Sequence, residues 1–429
     1  MHMFSRVSLG LSLSVISFAQ AGAADSVSFL DAVAKMVSNS PKYRAAIQTI
    51  EGDKAASVPG LYSHLPEVSA EISHGNSGVF SGESETVKST SLNGSVSLPL
   101  YRFGADAANV KIAKLSMSQA KVAAHLAQVQ AEKEMALLAV DNIKFQKSIV
   151  LEDRIFRSRV ELFNKADALF KRGLLPAEEL DKMRFDVGVA KLQLTEAKVR
   201  AADIKQQISV AMGEGELSQE WPLNARFFDR FEKWDAATAL NKFLPSAIEN
   251  ERLDVQKSVE RLSVARAGAL PSVGLNASMG KQYSSLNGSR DNPVNWSMNV
   301  SASVPLFSRM QSFSDVEVAS RILSAANLKV QDAERSLRND VRGTAASLAE
   351  LVVASRERMT FLQQANKNLS RARERFLAGK ISSNELASDE SKLFQMEQSL
   401  LDNEASLHSS FIRLCAAFAM TLQDCMTAL

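Results

Sequence analysis

The chain has 429 residues, of which 45% are hydrophobic and 23% are charged, and its formal net charge at pH 7 is +2. This near-neutral charge, without a dense cluster of lysine and arginine, gives no reason to expect nucleic acid as a partner. Glycine and proline are scarce, with 19 and 10 residues. Such a composition favours long helices.

The first residues have the three-part order of a secretory signal peptide. A short basic start, MHMFSR, precedes the apolar run VSLGLSLSVISF, and small residues follow in AQAGAADS. We expect cleavage after Ala21 or Ala23 and assign residues 1–23 to the signal peptide. Beyond it, no apolar run reaches the roughly 18 residues of a transmembrane helix. The chain is therefore predicted to be exported without a helical membrane anchor.

Two cysteines, Cys415 and Cys425, lie ten positions apart. In an oxidising compartment they could form a disulfide. Alternatively, Cys415 is a buried free thiol on a helix and Cys425 is unconstrained. The spacing leaves both interpretations open, and neither predicts chemistry at these residues.

The sequence repeats itself at a spacing of about 206 residues. HLPEVSAEIS resembles ALPSVGLNAS, LPLYRFG resembles VPLFSRM, and FKRGLLPAEEL resembles FLAGKISSNEL. A nearly constant offset predicts a tandem duplication. We place the first repeat at residues 24–213 and the second at 214–429, the latter beginning with a linker.

Each repeat is predicted to contain two strands. Apolar and polar residues alternate over 68–73, 92–98, 273–279 and 296–304. A period of two gives each strand one apolar and one polar face. A tilted strand of about ten residues is long enough to cross an outer membrane. The alternative is a pair of soluble hairpins in a small sandwich.

Very long helices are predicted to follow the strands. Residues 105–172 contain no glycine or proline, and 306–378 contain only Gly343. A helix over the first stretch would be about 100 Å long, so it must pack lengthwise on other helices. A column of apolar residues at every seventh position marks one seam: Leu115, Val122, Val129, Ala136, Ile143 and Val150. We expect neighbours on two sides of this helix, with a plain antiparallel hairpin as the alternative.

Each long helix is predicted to end at a glycine and to turn back into a return helix. Gly173 and Gly379 can take the left-handed conformation that terminates a helix. Pro176 suits the start of the first return helix, which we expect over about 177–212. Either Ser382 or its neighbour can cap the second, which runs toward the C-terminus.

Pro99 and Pro305 are predicted to mark the transitions from strand to helix, because proline cannot donate to a strand ladder and suits helix entry. Four strands cannot close a barrel, and open sheet edges are not tolerated in lipid. If the strands cross a membrane, several copies must share one barrel. A conduit needs a wider lumen than eight strands provide, which favours three copies and twelve strands.

These features resemble the TolC-like outer-membrane efflux protein family. The resemblance rests on SPKYRAA, the LP.V strand entries, PLY.FG and PLF, and the aromatic-x-x-Gly turns followed by AEEL and SNEL. It covers nearly all of the mature chain. It implies a mostly α fold with a membrane β part: a homotrimer with a shared twelve-stranded β-barrel in the outer-membrane lipid and a twelve-helix periplasmic α-barrel. It also implies an exit duct for tripartite efflux or type I secretion, working with a periplasmic adaptor and, through it, an inner-membrane pump.

The resemblance assigns the two helical turns to the family's adaptor-docking tips. The corresponding residues are Arg172, Gly173, Leu174, Leu175, Ala378, Gly379, Lys380 and Ile381. This chain departs from the family motif, since Arg172 and Ala378 replace valine and Lys380 replaces leucine. The alternative is that these are ordinary helix-turn residues.

The family also narrows its periplasmic entrance with acidic residues six and nine positions beyond the second tip glycine. Here these positions hold Glu385 and Ser388, and Asp389 follows the second. Glu385 and Asp389 are four apart and share a helix face. In a trimer they would place six carboxylates near one axis, an arrangement that favours cations. A solvated surface face is the alternative.

No enzyme and no cofactor are predicted. The five histidines show no metal-ligand spacing, and the sequence contains no phosphate-binding loop and no nucleophile elbow. Two other classes of protein also contain long helices. A periplasmic adaptor would have one helical hairpin flanked by split β-rich domains, and a structural coiled-coil surface protein would need neither a duplication nor return helices. The exported substrate does not follow from the sequence.

Overall fold

The computed structural model describes residues 28–79, 85–212, 217, 220–284, 294–305, 310–378 and 380–428. The predicted signal peptide and Gly379 lie outside the described residues. Fourteen helices and strands and one 3₁₀ helix occur in this order: α1 (Phe29–Asn39), α2 (Pro41–Leu61), β1 (Glu67–Val79), β2 (Glu85–Tyr101), α3 (Ala105–Phe170), α4 (Ala177–Met212), α5 (Ala225–Asp229), the 3₁₀ helix (Arg230–Lys233), α6 (Ala236–Ala247), α7 (Glu249–Gly268), β3 (Ser272–Ser284), β4 (Val294–Ser303), α8 (Gln311–Leu377), α9 (Ser383–Ala417) and α10 (Leu422–Ala428).

The two halves of the chain share one order of elements. In each half two shorter helices come directly before two strands, which are followed by a very long helix and its return helix. Among the described residues, α5, the 3₁₀ helix and α10 occur only in the second half. The predicted long helices and return helices are confirmed, and α3 ends two residues before the expected position. The duplication itself remains an inference from the sequence offset.

The four strands form one antiparallel sheet in the order β1-β2-β3-β4. The register places Ile72 opposite Leu92, and Met279 opposite Trp296, so the apolar side chains share one face. That face is uncovered, since Ile72 is 76% exposed and Trp296 is 77% exposed. The described part of the chain lays no second sheet on it, which argues against the soluble sandwich.

The opposite face of the sheet carries small polar side chains. Three serine pairs are hydrogen-bonded across neighbouring strands: Ser69–Ser95 at 2.7 Å, Ser73–Ser91 at 2.7 Å and Ser278–Ser297 at 2.9 Å. Such cross-strand pairs stabilise a sheet. One apolar and one polar face is the distribution that suits lipid on one side and water on the other.

The chain turns from strand to helix just after the first predicted proline. Pro99 lies inside β2, and the register with β3 shifts between Pro99 and Tyr101. Phe103 and Gly104 then have positive φ angles of 47° and 85°, and α3 begins at the next residue. Pro305 lies two residues beyond β4. The turn into α3 is therefore made by Phe103 and Gly104, and the proline before it coincides with a shift in the strand register.

The helix α3 packs mainly against four helices and also contacts α1 and α10. Its N-terminal half packs against α2 and α7, and its C-terminal half packs against α4 and α9, which in turn contacts α8. The plain-hairpin alternative is therefore wrong. The sevenfold column is buried at Ala136 and Ile143, but Val150 is 68% exposed. The column no longer forms one packed seam at Val150, because the C-terminal half of α3 packs against α4 and α9.

The largest hydrophobic core surrounds the middle of α3 and α8. It is completed by α1, the short helices between the repeats, the end of α4, and α9 with α10. Phe231, Phe411 and Phe418 are among its fully buried side chains. Within the described residues, no single helix is both long and apolar enough to cross a membrane. The helices α9 and α10 meet that criterion together, but the chain bends by 96° between them.

Cys415 and Cys425 form a disulfide that holds α10 against the end of α9, which settles the alternative left open by their spacing. The bridge closes a loop with a sequence separation of 10 residues. Loss of this constraint enlarges the unfolded ensemble, so we expect Cys415→Ser with Cys425→Ser to lower the free energy of unfolding by about 2–3 kcal/mol. Thermal unfolding of oxidised and reduced wild type gives the control. Equal midpoints for the two would contradict the expectation.

His408 of α9 packs against the linker that begins the second repeat. Its ring stacks on Trp221 with the ring centroids 4.6 Å apart. Its Nδ1 lies 2.7 Å from the carbonyl oxygen of Glu404, and its Nε2 lies 3.1 Å from that of Leu223. Burial lowers the pKa of His408, and Lys147 adds to this, while the two carbonyl contacts oppose it.

This lowered pKa predicts a loss of stability on the acid side. Below the unfolded pKa of about 6.5, the unfolded chain binds a proton that the folded ring resists. Between pH 7.5 and 5.5 we expect wild type to lose about 1 kcal/mol more stability than His408→Gln. Urea unfolding followed by tryptophan fluorescence at both pH values measures this difference. Parallel losses in the two proteins would count against it.

Candidate functional site

The first helical turn is closed by backbone hydrogen bonds around Gly173, whose φ angle is +74°. Its N–H donates to the carbonyl of Phe170 at 2.8 Å, and the N–H of Leu174 donates to that of Leu169 at 3.0 Å. This pair of bonds is the Schellman motif that ends many helices. In the second turn, Lys380 donates to the carbonyl five residues earlier at 2.8 Å. The two turns thus share the backbone bond to the carbonyl five residues earlier.

The predicted tip residues differ in exposure. Leu175 and Ile381 pack on small clusters at the ends of the helices. The remaining described tip residues are exposed: Arg172, Gly173, Leu174, Ala378 and Lys380. The structure therefore presents mainly cationic and small residues at the tips, with one large apolar side chain, Leu174, which is 69% exposed.

A buried carboxylate joins three helices a few turns from the tips. Glu390 of α9 is 1% exposed. Its Oε1 accepts hydrogen bonds from Ser158 of α3 and from Arg373 of α8, both at 3.0 Å. Its Oε2 lies 3.7 Å from Nη1 of Arg159, whose Nη2 also donates to Ser391 at 2.7 Å. The network fastens the hairpin of α8 and α9 to α3, and it places both turns at the same end of the molecule.

Sequence reasoning missed this network. Its members are 17 and 232 positions apart in the chain, so no local pattern links them. The one available signal was the position of Glu390, which falls between the buried residues Leu386 and Leu393 on one face of α9. A carboxylate in an apolar stripe must find buried partners.

The predicted gate residues lie at the start of α9. Ser382 caps this helix by accepting a hydrogen bond from the N–H of Glu385 at 3.2 Å. Glu385 and Ser388 are exposed, and Asp389 is partly buried. Asp389 forms an ion pair with Lys392 at 3.0 Å. The expected pair of carboxylates is therefore present, but Lys392 offsets the charge of Asp389, and Glu385 carries the charge that lacks an ion pair among the described residues.

A polar groove follows α3 between α4 and α9. Two adjoining cavities of about 510 and 350 Å³ share Glu152, Gln193 and Gln398 in their walls. Burial raises the pKa of Glu152, and its Oε2 has no hydrogen-bond partner in the described part of the protein. No group of three histidine, cysteine or acidic residues that could hold a metal occurs among the described residues. The groove offers hydrogen-bonding walls to water or to polar solutes.

Part of the chain matches a known protein family. Residues 246–419 match the model of the outer membrane efflux protein family. This matched segment, which is less than half of the 429-residue chain, is similar to the outer membrane efflux proteins. No curated protein sequence matches it.

Solved structures show the same fold over most of this chain. The CmeC outer membrane channel of Campylobacter jejuni is 14% identical with a TM-score of 0.77, over 91% of this chain and 85% of that one. The outer membrane protein VceC of Vibrio cholerae is 14% identical with a TM-score of 0.76, over 92% and 96%. The MtrE outer membrane channel of Neisseria gonorrhoeae is 16% identical with a TM-score of 0.75, over 92% and 89%.

The chain therefore shares its fold with these outer membrane channels. Its two helical hairpins, α3 with α4 and α8 with α9, and its four-stranded sheet are unlike the single hairpin expected of an adaptor. The return helices also argue against the structural coiled-coil alternative.

Proposed function

We propose that three copies of this chain form one continuous duct across the outer membrane and the periplasm. The observation that carries the proposal is the sheet, which exposes its apolar face and leaves both edges open. Open edges are not tolerated in lipid. Because β1 and β4 run antiparallel, β4 of one copy can pair with β1 of the next and continue the same pattern. Three copies supply twelve strands.

The helical part has corresponding free edges. In the periplasmic half the helices follow the order α4, α3, α9, α8, so α4 and α8 lie at its two ends. The face of α4 away from α3 exposes Phe185, Leu192 and Val199 at a spacing of seven, by 71%, 59% and 65%. Apolar residues at this spacing pack on a neighbouring helix. In a ring that neighbour is α8 of the next copy.

The duct is proposed to be a passive conduit in a tripartite efflux or type I secretion system. A periplasmic adaptor docks at the two helical turns, and an inner-membrane pump reached through the adaptor selects the cargo. Each repeat, residues 24–213 and 214–429, supplies two strands and one long hairpin to the wall. The apolar sheet face contacts the lipid.

Planar bilayer recordings test the conduit and its entrance together. We expect the reconstituted chain to conduct ions and to prefer cations, because Glu385 and Asp389 line the entrance. The double variant Glu385→Ala with Asp389→Ala should lose most of this preference. Glu385→Ala alone should cause most of that loss, because Lys392 already offsets the charge of Asp389.

The matched control is Glu178→Ala with Asp181→Ala, which removes two carboxylates from α4 near the other turn. It should keep the wild-type ion preference. A wild-type chain that never conducts would overturn the duct. Conduction with an unchanged preference in the Glu385 and Asp389 variant would leave the duct standing and overturn the gate.

A further inference from the structure

Both helical turns carry cations and no acidic residue. The first reads KRGLLP over 171–176, and the second reads AGKIS over 378–382. Arg172 and Lys380 are exposed, and neither forms an ion pair within the described part of the chain. Arg172 follows the end of α3, and Lys380 follows the end of α8. Each hairpin therefore ends in an uncompensated positive charge.

The acidic residues around the first turn are already paired with other cations. Three such pairs flank it: Asp167–Lys171 at 2.6 Å, Glu178–Lys182 at 2.7 Å and Asp181–Arg184 at 3.3 Å. Glu179 and Glu385 lie in the first turns of α4 and α9, where the helix N-terminus stabilises a negative charge. Arg172 and Lys380 are therefore available to pair with carboxylates from outside the chain.

The backbone of the turns presents these side chains in a fixed arrangement. The bonds from Leu174 to Leu169 and from Lys380 to Arg375, at 3.0 and 2.8 Å, close both turns. Leu174 is 69% exposed beside Arg172. An exposed apolar side chain next to an unpaired cation is an arrangement suited to a protein contact, because the pair can bury apolar area and gain an ion pair in one step.

We propose that the tips bind a protein partner whose docking loops carry carboxylates opposite Arg172 and Lys380 and an apolar surface for Leu174. The inference rests on the proposed function and deepens it, since it states the chemistry that the adaptor presents to this chain. Three copies present six such cations on one rim. Complementary charge speeds association and makes it sensitive to salt.

The test uses the full-length chain in detergent and two immobilised helical-hairpin probes that differ in their turns. One probe carries glutamates and a leucine in its turn, and the other carries lysines in place of the glutamates. At about 50 mM salt we expect the glutamate probe to bind at least about tenfold more tightly, and the difference should shrink at about 300 mM. Arg172→Glu with Lys380→Glu should reverse the preference.

The matched control is Arg321→Glu with Lys329→Glu, which makes the same charge change on α8 far from the turns. It should behave as wild type. Equal binding of both probes, no binding of either, or a preference that survives reversal of Arg172 and Lys380 would overturn the proposal. Binding of phosphatidylglycerol vesicles through Arg172 and Lys380 in place of the glutamate probe would also overturn the proposal.

Bilayer recordings separate this inference from the proposed function. If the wild type and the charge-reversed variant conduct equally but the glutamate probe is not preferred, the acidic partner is wrong and the duct stands. If the wild type does not conduct, the duct is wrong whatever the probes bind.

Discussion

Glu390→Ala is expected to lower the free energy of unfolding by about 3 kcal/mol. Removal of one member of a buried ion pair leaves the other charge uncompensated, and such changes cost about 3–5 kcal/mol. Arg159 is left with a side chain only 11% exposed. Arg373 reaches solvent, with a side chain 55% exposed, which places the effect at the low end of the range.

Urea unfolding followed by helical circular dichroism measures this loss. Glu385→Ala is the matched control, because it removes an exposed carboxylate from the same helix and should change stability by no more than about 0.5 kcal/mol. Since Glu390 fastens α9 to α3, its removal should also raise the fraction of time that reconstituted channels conduct. If the two alanine variants are equally stable, the network does not hold the hairpins together.

Phe411→Ala is expected to cost about 3–5 kcal/mol, the usual loss when a buried phenylalanine is truncated. Phe411 is 1% exposed. Its ring centroid lies 5.1 Å from that of Phe227 and 5.9 Å from that of Phe231, both in the segment between the repeats. The cavity would open where α9 meets this segment in the central core.

The control is Phe361→Ala, which truncates the same side chain at a site that is 58% exposed on α8. Denaturation midpoints of the two variants give the comparison. A loss for Phe411→Ala no larger than that for Phe361→Ala would mean that the central core does not hold the repeats together.

Much of the helical fold could be predicted from the sequence. The bounds of α3 follow from a long stretch without glycine or proline that ends before Gly173, and the start of α4 follows from Pro176. These are strong local signals, because helix breakers and caps act within a few residues. The strands followed from their period of two, although β2 runs on through Pro99 to Tyr101 because pairing with β3 continues on both sides of the proline.

The contacts that hold the helices together could not be predicted in the same way. The segment before α6 was expected to be only a linker, yet Phe228 and Phe231 are 2% exposed in the central core. The bonds of Glu390 to α3 and the disulfide at Cys415 likewise depend on which helices become neighbours. Such tertiary contacts leave little trace in the local sequence pattern, whereas the Ser382 cap of α9 and the left-handed Gly173 are local features that the sequence predicts.

If each chain supplies only part of a pore wall, the sheet edges of two copies must meet. Disulfide trapping between β1 and β4 detects that contact. Within one chain β1 and β4 are separated by two strands, which places them about 14 Å apart. A disulfide requires Cα atoms within about 7 Å, so a bond between these strands must join two copies.

We would combine Ile72→Cys on β1 with one cysteine on β4, placed in turn at Trp296, Met298 and Val300, and use each single cysteine as the control. For a ring of three copies, we expect at least one combination to yield bands of one, two and three chains on a non-reducing gel, and none larger. Failure of every combination to cross-link, or a series that stops at two chains or continues beyond three, would contradict it.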